Sequence, residues 1–230
     1  MAREVDIAPN QRFALGGKTR SGKTRFAMFL SSLLVPDGQD DWEAWWVDTK
    51  NDPKDIAAVQ EWGFQPARSK THSPLWKRKT GPRKLFVVRD NVYDRSQEIF
   101  DKAYNQRGVL VIVDEYVQVV KSSQVAGPSL LNIFQRGGGL DVGIIGLTQE
   151  PVYIPRQLFS QATHQFLFSV TYPYDISYFQ TLYEDYESPI SRGDDKGFFH
   201  VAVDLDGKAA YYKHQRDWFE RVMTKERSAS

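Results

Sequence analysis

Cysteine is absent from the 230 residues, which removes disulfide frameworks, thiol nucleophiles and cysteine-ligated metals from consideration and fits a cytosolic chain. No apolar run approaches the roughly 20 residues that a bilayer-spanning helix needs. Residues 1–11 mix charges of both signs and hold no apolar stretch of the kind found in a secretory signal. A soluble chain without a membrane span is expected. Charge of one sign is not in excess either: 30 Lys and Arg face 29 Asp and Glu, a formal net charge of +1, which argues against a uniformly basic binder. Internal repeats, low-complexity tracts and a Pro- or Gly-rich linker are also missing. One domain over residues 1–230 is therefore expected, with a core at about 12–183 and a C-terminal hairpin and helix over 197–227. A chain of this length, 41% hydrophobic and 26% charged, can bury a full core.

Short apolar runs alternate with helix-length amphipathic segments, the pattern of a mostly parallel sheet covered by helices on both faces. The expected strands lie at 12–15, 44–48, 85–89, 109–113, 142–148 and 165–170, with VLVIV at 109–113 the most hydrophobic and so placed at the centre. Helices are expected at 24–34, 93–106, 129–136, 155–162 and 174–183. Residues 197–205 and 208–213 flank Asp206-Gly207, a hairpin signal, and a last helix is expected near 218–225.

The strongest motif is Gly17-Lys18-Thr19-Arg20-Ser21-Gly22-Lys23-Thr24, which matches G-x-x-x-x-G-K-[ST] at every fixed position between a strand and a helix. Glycines let the backbone fold around phosphates, and consecutive N–H groups at a helix N-terminus donate to them. Lys23 is placed to reach the β- and γ-phosphates of ATP, and the Thr24 hydroxyl to coordinate Mg2+. A chance glycine turn is the rival reading, but the four fixed positions coincide in only about one chain of this length in a hundred.

A magnesium nucleotide also needs a carboxylate on a neighbouring strand tip. In GVLVIVDE five apolar residues deliver Asp114 to the C-terminal end of the strand, about 90 residues after the glycine loop, where ligands of open α/β sheets bind. Asp114 is the expected metal ligand, and Glu115 is suited to polarising a water for in-line attack. Without the glycine loop, the same pair would read as the start of a surface loop. Adjacent carboxylates favour hydrolysis over transfer to a small acceptor.

The strand VGIIGLTQ ends in Thr148-Gln149, and an amide there can donate to the γ-phosphate and accept from the attacking water. A satisfied strand-end glutamine is the alternative. Arg136 ends the helix before that strand and reads either as an arginine donated to a neighbouring subunit or as a C-terminal helix cap. Arg156 is the reserve candidate.

These features together resemble the FtsK/HerA superfamily of DNA-pumping ATPases, and most of all the compact genome-packaging ATPases of viruses with internal membranes. The resemblance rests on GGKTRSGKT, WWVDTKNDPKD, VLVIVDEY, FQRGGGLDVGIIGLTQEP and IPRQLFSQATHQFLF in that order, covering residues 12–183. It implies a three-layer P-loop NTPase of the RecA/ASCE type. In such proteins the acidic pair binds Mg2+ and activates water, the strand-end glutamine senses the γ-phosphate and an arginine acts in trans, places that Asp114, Glu115, Gln149 and Arg136 match. The resemblance further implies a homo-oligomeric ring, usually a hexamer, around double-stranded DNA. A bare motor of this kind suits packaging, with a capsid vertex or portal protein as its dock and the host cytoplasm or the virion vertex as its place. Glu150 departs from the Arg common in cellular DNA pumps. A cellular or plasmid DNA pump and a protein-moving morphogenesis or secretion ATPase are the competing readings.

A ring motor needs mobile basic groups facing its pore, and such phosphate contacts carry no sequence information. Residues 67–84 hold seven Lys or Arg and no acid. Lys70, Lys77, Arg78 and Lys79 are DNA-contact candidates from that stretch, and a solvated surface excursion is the alternative. Lys121, at the start of KSSQVAGP, is the next candidate. The C-terminal segment with Arg216, Arg221, Lys225 and Arg227 suits a docking partner instead. Trp42, Trp45 and Trp46 read as core or interface rather than as stacking platforms for single strands.

Overall fold

Val109–Val113 is buried along its whole length. Leu110 and Ile112 pack into one apolar cluster and Val109, Val111 and Val113 into another, as a strand covered on both faces must. The computed structural model describes residues 7–38, 41–67, 82–121, 126–153, 156–184, 186–192, 197–203 and 209–214. In chain order its elements are β1 (Arg12–Gly16), α1 (Lys23–Leu34), β2 (Glu43–Asp48), α2 (Pro53–Glu61), β3 (Gln65–Pro66), β4 (Arg83–Val87), α3 (Val92–Gln106), β5 (Val109–Val113), α4 (Pro128–Arg136), β6 (Val142–Thr148), α5 (Arg156–Ser160), β7 (His164–Phe168), α6 (Pro173–Leu182), β8 (Phe198–Val203) and β9 (Ala209–His214).

The nine strands form one sheet in the order β3-β4-β2-β5-β6-β1-β7-β8-β9. From β3 to β7 every pairing is parallel, and β5 has three strands on either side of it there. β8 joins β7 antiparallel and β9 joins β8 antiparallel, so the expected hairpin extends the sheet itself. Side chains alternate across the strands: Ala14 faces α3 to α6, whereas Phe13 and Leu15 face α1 and α2. The result is a three-layer α/β fold with helices on both faces, the P-loop NTPase architecture. Among the described residues, no helix is long and apolar enough to cross a membrane.

Several boundaries differ from expectation for identifiable reasons. β4 starts at Arg83 rather than at residue 85, because Arg83 is buried and its guanidinium donates to the Trp62 carbonyl at 2.7 Å. A basic residue in the ladder hides the start of a strand. β7 starts at His164, whose ring stacks on Phe13 at 5.1 Å, and ends at Phe168 rather than at residue 170. α5 is shorter than expected. α2 and β3 were not anticipated; α2 is capped by Asp52, which accepts the Lys54 N–H at 2.8 Å, with Pro53 opening the helix. Trp45 and Trp46 are buried, as a core role requires. The Asp206-Gly207 turn and the helix expected at 218–225 lie outside the described residues.

Behind α1 the hairpin makes a specific contribution. Phe198 on β8 packs on Phe26 of α1 at 5.0 Å and on Phe168 of β7 at 5.2 Å, and Phe166 meets the same Phe26 at 4.7 Å. These rings form an aromatic floor beneath the first turns of α1, with edge and tilted contacts of the favourable kind.

Candidate nucleotide site

Because β1, β2, β5, β6 and β7 are parallel, their C-terminal ends open on one edge of the sheet, and every segment that follows them meets there. The glycine loop follows β1. Gly17 has φ 153° and touches β7 so closely that a Cβ on it would sit 2.7 Å from Phe168 Cβ. Its N–H donates to the Thr148 carbonyl at 3.2 Å, and the Lys18 N–H donates to the Ser169 carbonyl at 2.8 Å. The loop is thus tied to β6 on one side and β7 on the other. Gly22 has φ 101° with open space above it, and α1 starts immediately afterwards with neither a side-chain cap nor an acid in its first turn. No acid of the helix itself offsets the positive end of its dipole.

Lys23 is buried, and its ammonium donates to the carbonyls of Gly17 and Lys18 at 2.6 and 2.8 Å. Burial pulls its pKa down to about 8, against the opposing pull of Glu115. The Ser21 hydroxyl is buried with no partner. The N-terminus of α1, a lysine held on its own loop and an orphaned hydroxyl make an anion cradle that fits a polyphosphate.

Asp114 and Glu115 stand at the tip of β5, 1% and 6% exposed. Thr24 Oγ1 approaches Asp114 Oδ1 at 3.4 Å, so two hard oxygen donors face each other across the mouth of the loop. Among the described residues, no group of three His, Cys, Asp or Glu could hold a metal. The Thr24 and Asp114 oxygens are the donor set that fits Mg2+, which is held through one or two protein oxygens together with substrate phosphates. Burial pushes the Asp114 carboxyl up to about 7, with the nearby Lys50 opposing the shift and Asp55 and Asp48 adding to it. Burial also raises Glu115, again against Lys50.

Gln149 follows β6 and is half-buried. Its main-chain N–H donates to Glu115 Oε1 at 3.4 Å, and its side-chain oxygen accepts from the Thr19 hydroxyl. The structure therefore brings Gly17 through Thr24, Asp114, Glu115 and Gln149 together. Arg136 is elsewhere: it is exposed at the end of α4. The neighbouring Phe134 carbonyl accepts from Arg12 at the start of β1. Arg136 thus lies a strand length, roughly 16 Å, from its own glycine loop. Lys121 is exposed with its ammonium 5.1 Å from the Tyr93 ring centroid. Lys70, Lys77, Arg78 and Lys79 lie outside the described residues, and so does the side chain of Arg156.

One charged member of the site was missed by the sequence reading. Lys50, just beyond β2, has its ammonium 3.4 Å from Asp114 Oδ2 and 3.9 Å from Glu115 Oε2. The signal was present in WWVDTKNDPKD, but it acquires meaning only once β2 is known to pair with β5.

Comparisons with known protein-family models and with curated protein sequences found no match. Among solved structures, the chain is similar to the DNA-packaging ATPase B204 from Sulfolobus turreted icosahedral virus, with a TM-score of 0.64 at 15% identity, covering 90% of this chain and 99% of that one. It is also similar to the genome-packaging NTPase B204 from Sulfolobus turreted icosahedral virus 2 in complex with AMPPCP, with a TM-score of 0.61 at 15% identity over 90% of this chain and 98% of that one. EssC (ATPases 2 and 3) from Geobacillus thermodenitrificans gives a TM-score of 0.58 at 12% identity over 90% of this chain and 40% of that one. What the chain shares with these structures is the P-loop ATPase fold.

Proposed function

We propose that this chain is a Mg2+-dependent ATPase that drives double-stranded DNA into a preformed viral capsid. The observation that carries the reading is the meeting of the Gly17–Thr24 loop with Asp114, Glu115 and Gln149 at one edge of the sheet. The loop amides and Lys23 bind and orient the phosphates of ATP. Thr24 and Asp114 would hold the magnesium, whose charge neutralises the triphosphate oxygens. Glu115 accepts the proton of the attacking water, and burial raises its pKa, which strengthens the carboxylate as a base. Gln149 touches both the loop and Glu115, so it can report the γ-phosphate to the base.

Packaging as the use of this energy is supported by the B204 structures, which align over nearly all of both chains, and by the resemblance carried by residues 12–183. The working form in this reading is a homo-oligomeric ring, a hexamer, docked on a capsid vertex or portal protein in the host cytoplasm, with Arg136 donated across the subunit boundary. Lys121 and the basic 67–84 stretch contact DNA phosphates.

The test is the ATPase rate with and without double-stranded DNA across a salt series. Stimulation that fades as salt rises is expected. No response at any salt concentration would instead favour a protein-moving ATPase. Lys23→Ala should abolish nucleotide binding, and normal affinity in that variant would remove the glycine loop from the site.

A further inference from the structure

The two carboxylates of Asp114 and Glu115 have their four oxygens divided between different partners. Asp114 Oδ1 faces the Thr24 hydroxyl at 3.4 Å, and Glu115 Oε1 accepts the Gln149 main-chain N–H at 3.4 Å. The remaining oxygens, Asp114 Oδ2 and Glu115 Oε2, both face the Lys50 ammonium, at 3.4 and 3.9 Å. Asp114 Oδ2 has no hydrogen-bond partner, so the lysine reaches it as an ion pair rather than as an aligned donor.

Lys50 is itself held from behind. Asp48, buried at the end of β2, accepts the Asn51 N–H at 3.1 Å. Asn51 has φ 57° and donates its side-chain amide to the Val88 carbonyl at 3.0 Å. Asp52 then caps α2 one residue later. A turn with a left-handed residue, pinned to β4 on one side and continued by a helix on the other, costs conformational freedom that a merely solvated lysine does not require. The Lys50 side chain is 23% exposed, against 1% for that of Asp114, so the lysine reaches inward from the rim to a pair that water hardly touches.

We propose that Lys50 is a positioning residue for hydrolysis: from the locked turn after β2 its ammonium spans the outer oxygens of Asp114 and Glu115 and fixes both carboxylates for their work. Asp114 is thereby turned with its inner oxygen toward Thr24, where the metal-bound phosphates belong. Glu115 is pinned at both oxygens, by Lys50 on one side and the Gln149 amide on the other, so its torsions are settled before water arrives. A base misplaced by about 1 Å can lose on the order of 100-fold in rate. This inference rests on the ATPase reading.

The experiment compares wild type, Lys50→Met and Lys50→Arg as full-length proteins. Three quantities are read: Mg-ATP affinity by equilibrium binding, single-turnover hydrolysis, and the melting temperature without nucleotide. Lys50→Met is expected to bind Mg-ATP within about threefold of wild type and to hydrolyse it about 100-fold more slowly. It should also melt lower without nucleotide, because two buried carboxylates lose their cation. Lys50→Arg, which keeps the charge at the rim, should recover at least tenfold of the lost rate. Wild-type turnover in Lys50→Met would overturn the proposal. So would a loss of Mg-ATP affinity equal to the loss of rate, which would make Lys50 a ligand-binding group, or equal losses in Met and Arg. If wild type itself fails to hydrolyse ATP, the ATPase reading falls, and the melting temperatures still decide whether Lys50 holds the acidic pair.

Discussion

Asp114→Asn should make the nucleotide-free protein more stable while destroying its ability to use Mg-ATP. The carboxyl is 1% exposed, and burial pushes its pKa from an ordinary 3.8 up to about 7 even with Lys50 beside it. Converted at about 1.4 kcal/mol per tenfold, that difference means the fold carries the Asp114 charge at a cost of about 4 kcal/mol above neutrality. Asparagine has nearly the same shape and no charge. Its amide hydrogens meet the Thr24 hydroxyl and the Lys50 ammonium less well than carboxylate oxygens do, a loss of about 1–2 kcal/mol. The net gain is about 2–3 kcal/mol, which for a chain of this size raises the melting temperature by roughly 4–12 °C.

The pH dependence gives the sign. Because the folded carboxyl lies above the unfolded one, the folded protein holds a proton that the unfolded chain releases between pH 3.8 and about 7. Wild type therefore loses stability as pH climbs through that window, and Asp114→Asn lacks this contribution. Melting of both proteins without nucleotide or metal, at pH 4.5 and pH 8, is the assay. The two should nearly coincide at the acid end and separate at the basic end. A variant that melts below wild type at pH 8, or a gap of the same size at both pH values, would refute the reasoning.

Two further substitutions separate the proposed roles. Glu115→Gln should keep Mg-ATP affinity and lower turnover by a factor of 100 or more, the usual contribution of a positioned base, as read by single-turnover hydrolysis. Arg136→Ala should leave ATP binding to isolated subunits unchanged, since the residue stands at the opposite edge of the sheet from its own loop. Turnover of the assembled protein should fall by about 1,000-fold or more, and full activity in the assembly would return Arg136 to helix capping.

Much of the fold was legible because its signals are local. VLVIV has too many branched apolar residues in succession to be anything but a strand covered on both faces, and GGKTRSGKT demands a turn between a strand and a helix. The acidic tip was legible because the apolar run VLVIV stops abruptly at Asp114. What escaped depends on neighbours that are distant in sequence. The start of β4 was hidden because Arg83 is buried on the Trp62 carbonyl, a contact no window around residue 83 contains. β3 has two exposed residues and no pattern of its own. Lys50 looked like one charge among several in DTKNDPKD, and only the adjacency of β2 and β5 sets it against Asp114. Thr19 likewise reads as a variable position of the loop motif until β6 brings Gln149 to it.

The aromatic floor under α1 bears on when the loop becomes competent. Phe26 comes early in the chain, and Phe198, which it rests on, comes near the far end. Phe168, the wall behind Gly17, also pairs directly with Phe198 across β7 and β8. During synthesis the complete glycine motif leaves the ribosome long before the surface that shapes it exists, and contacts spanning such a separation form last. The glycine loop therefore gains its full support only once β8 has been made and docked.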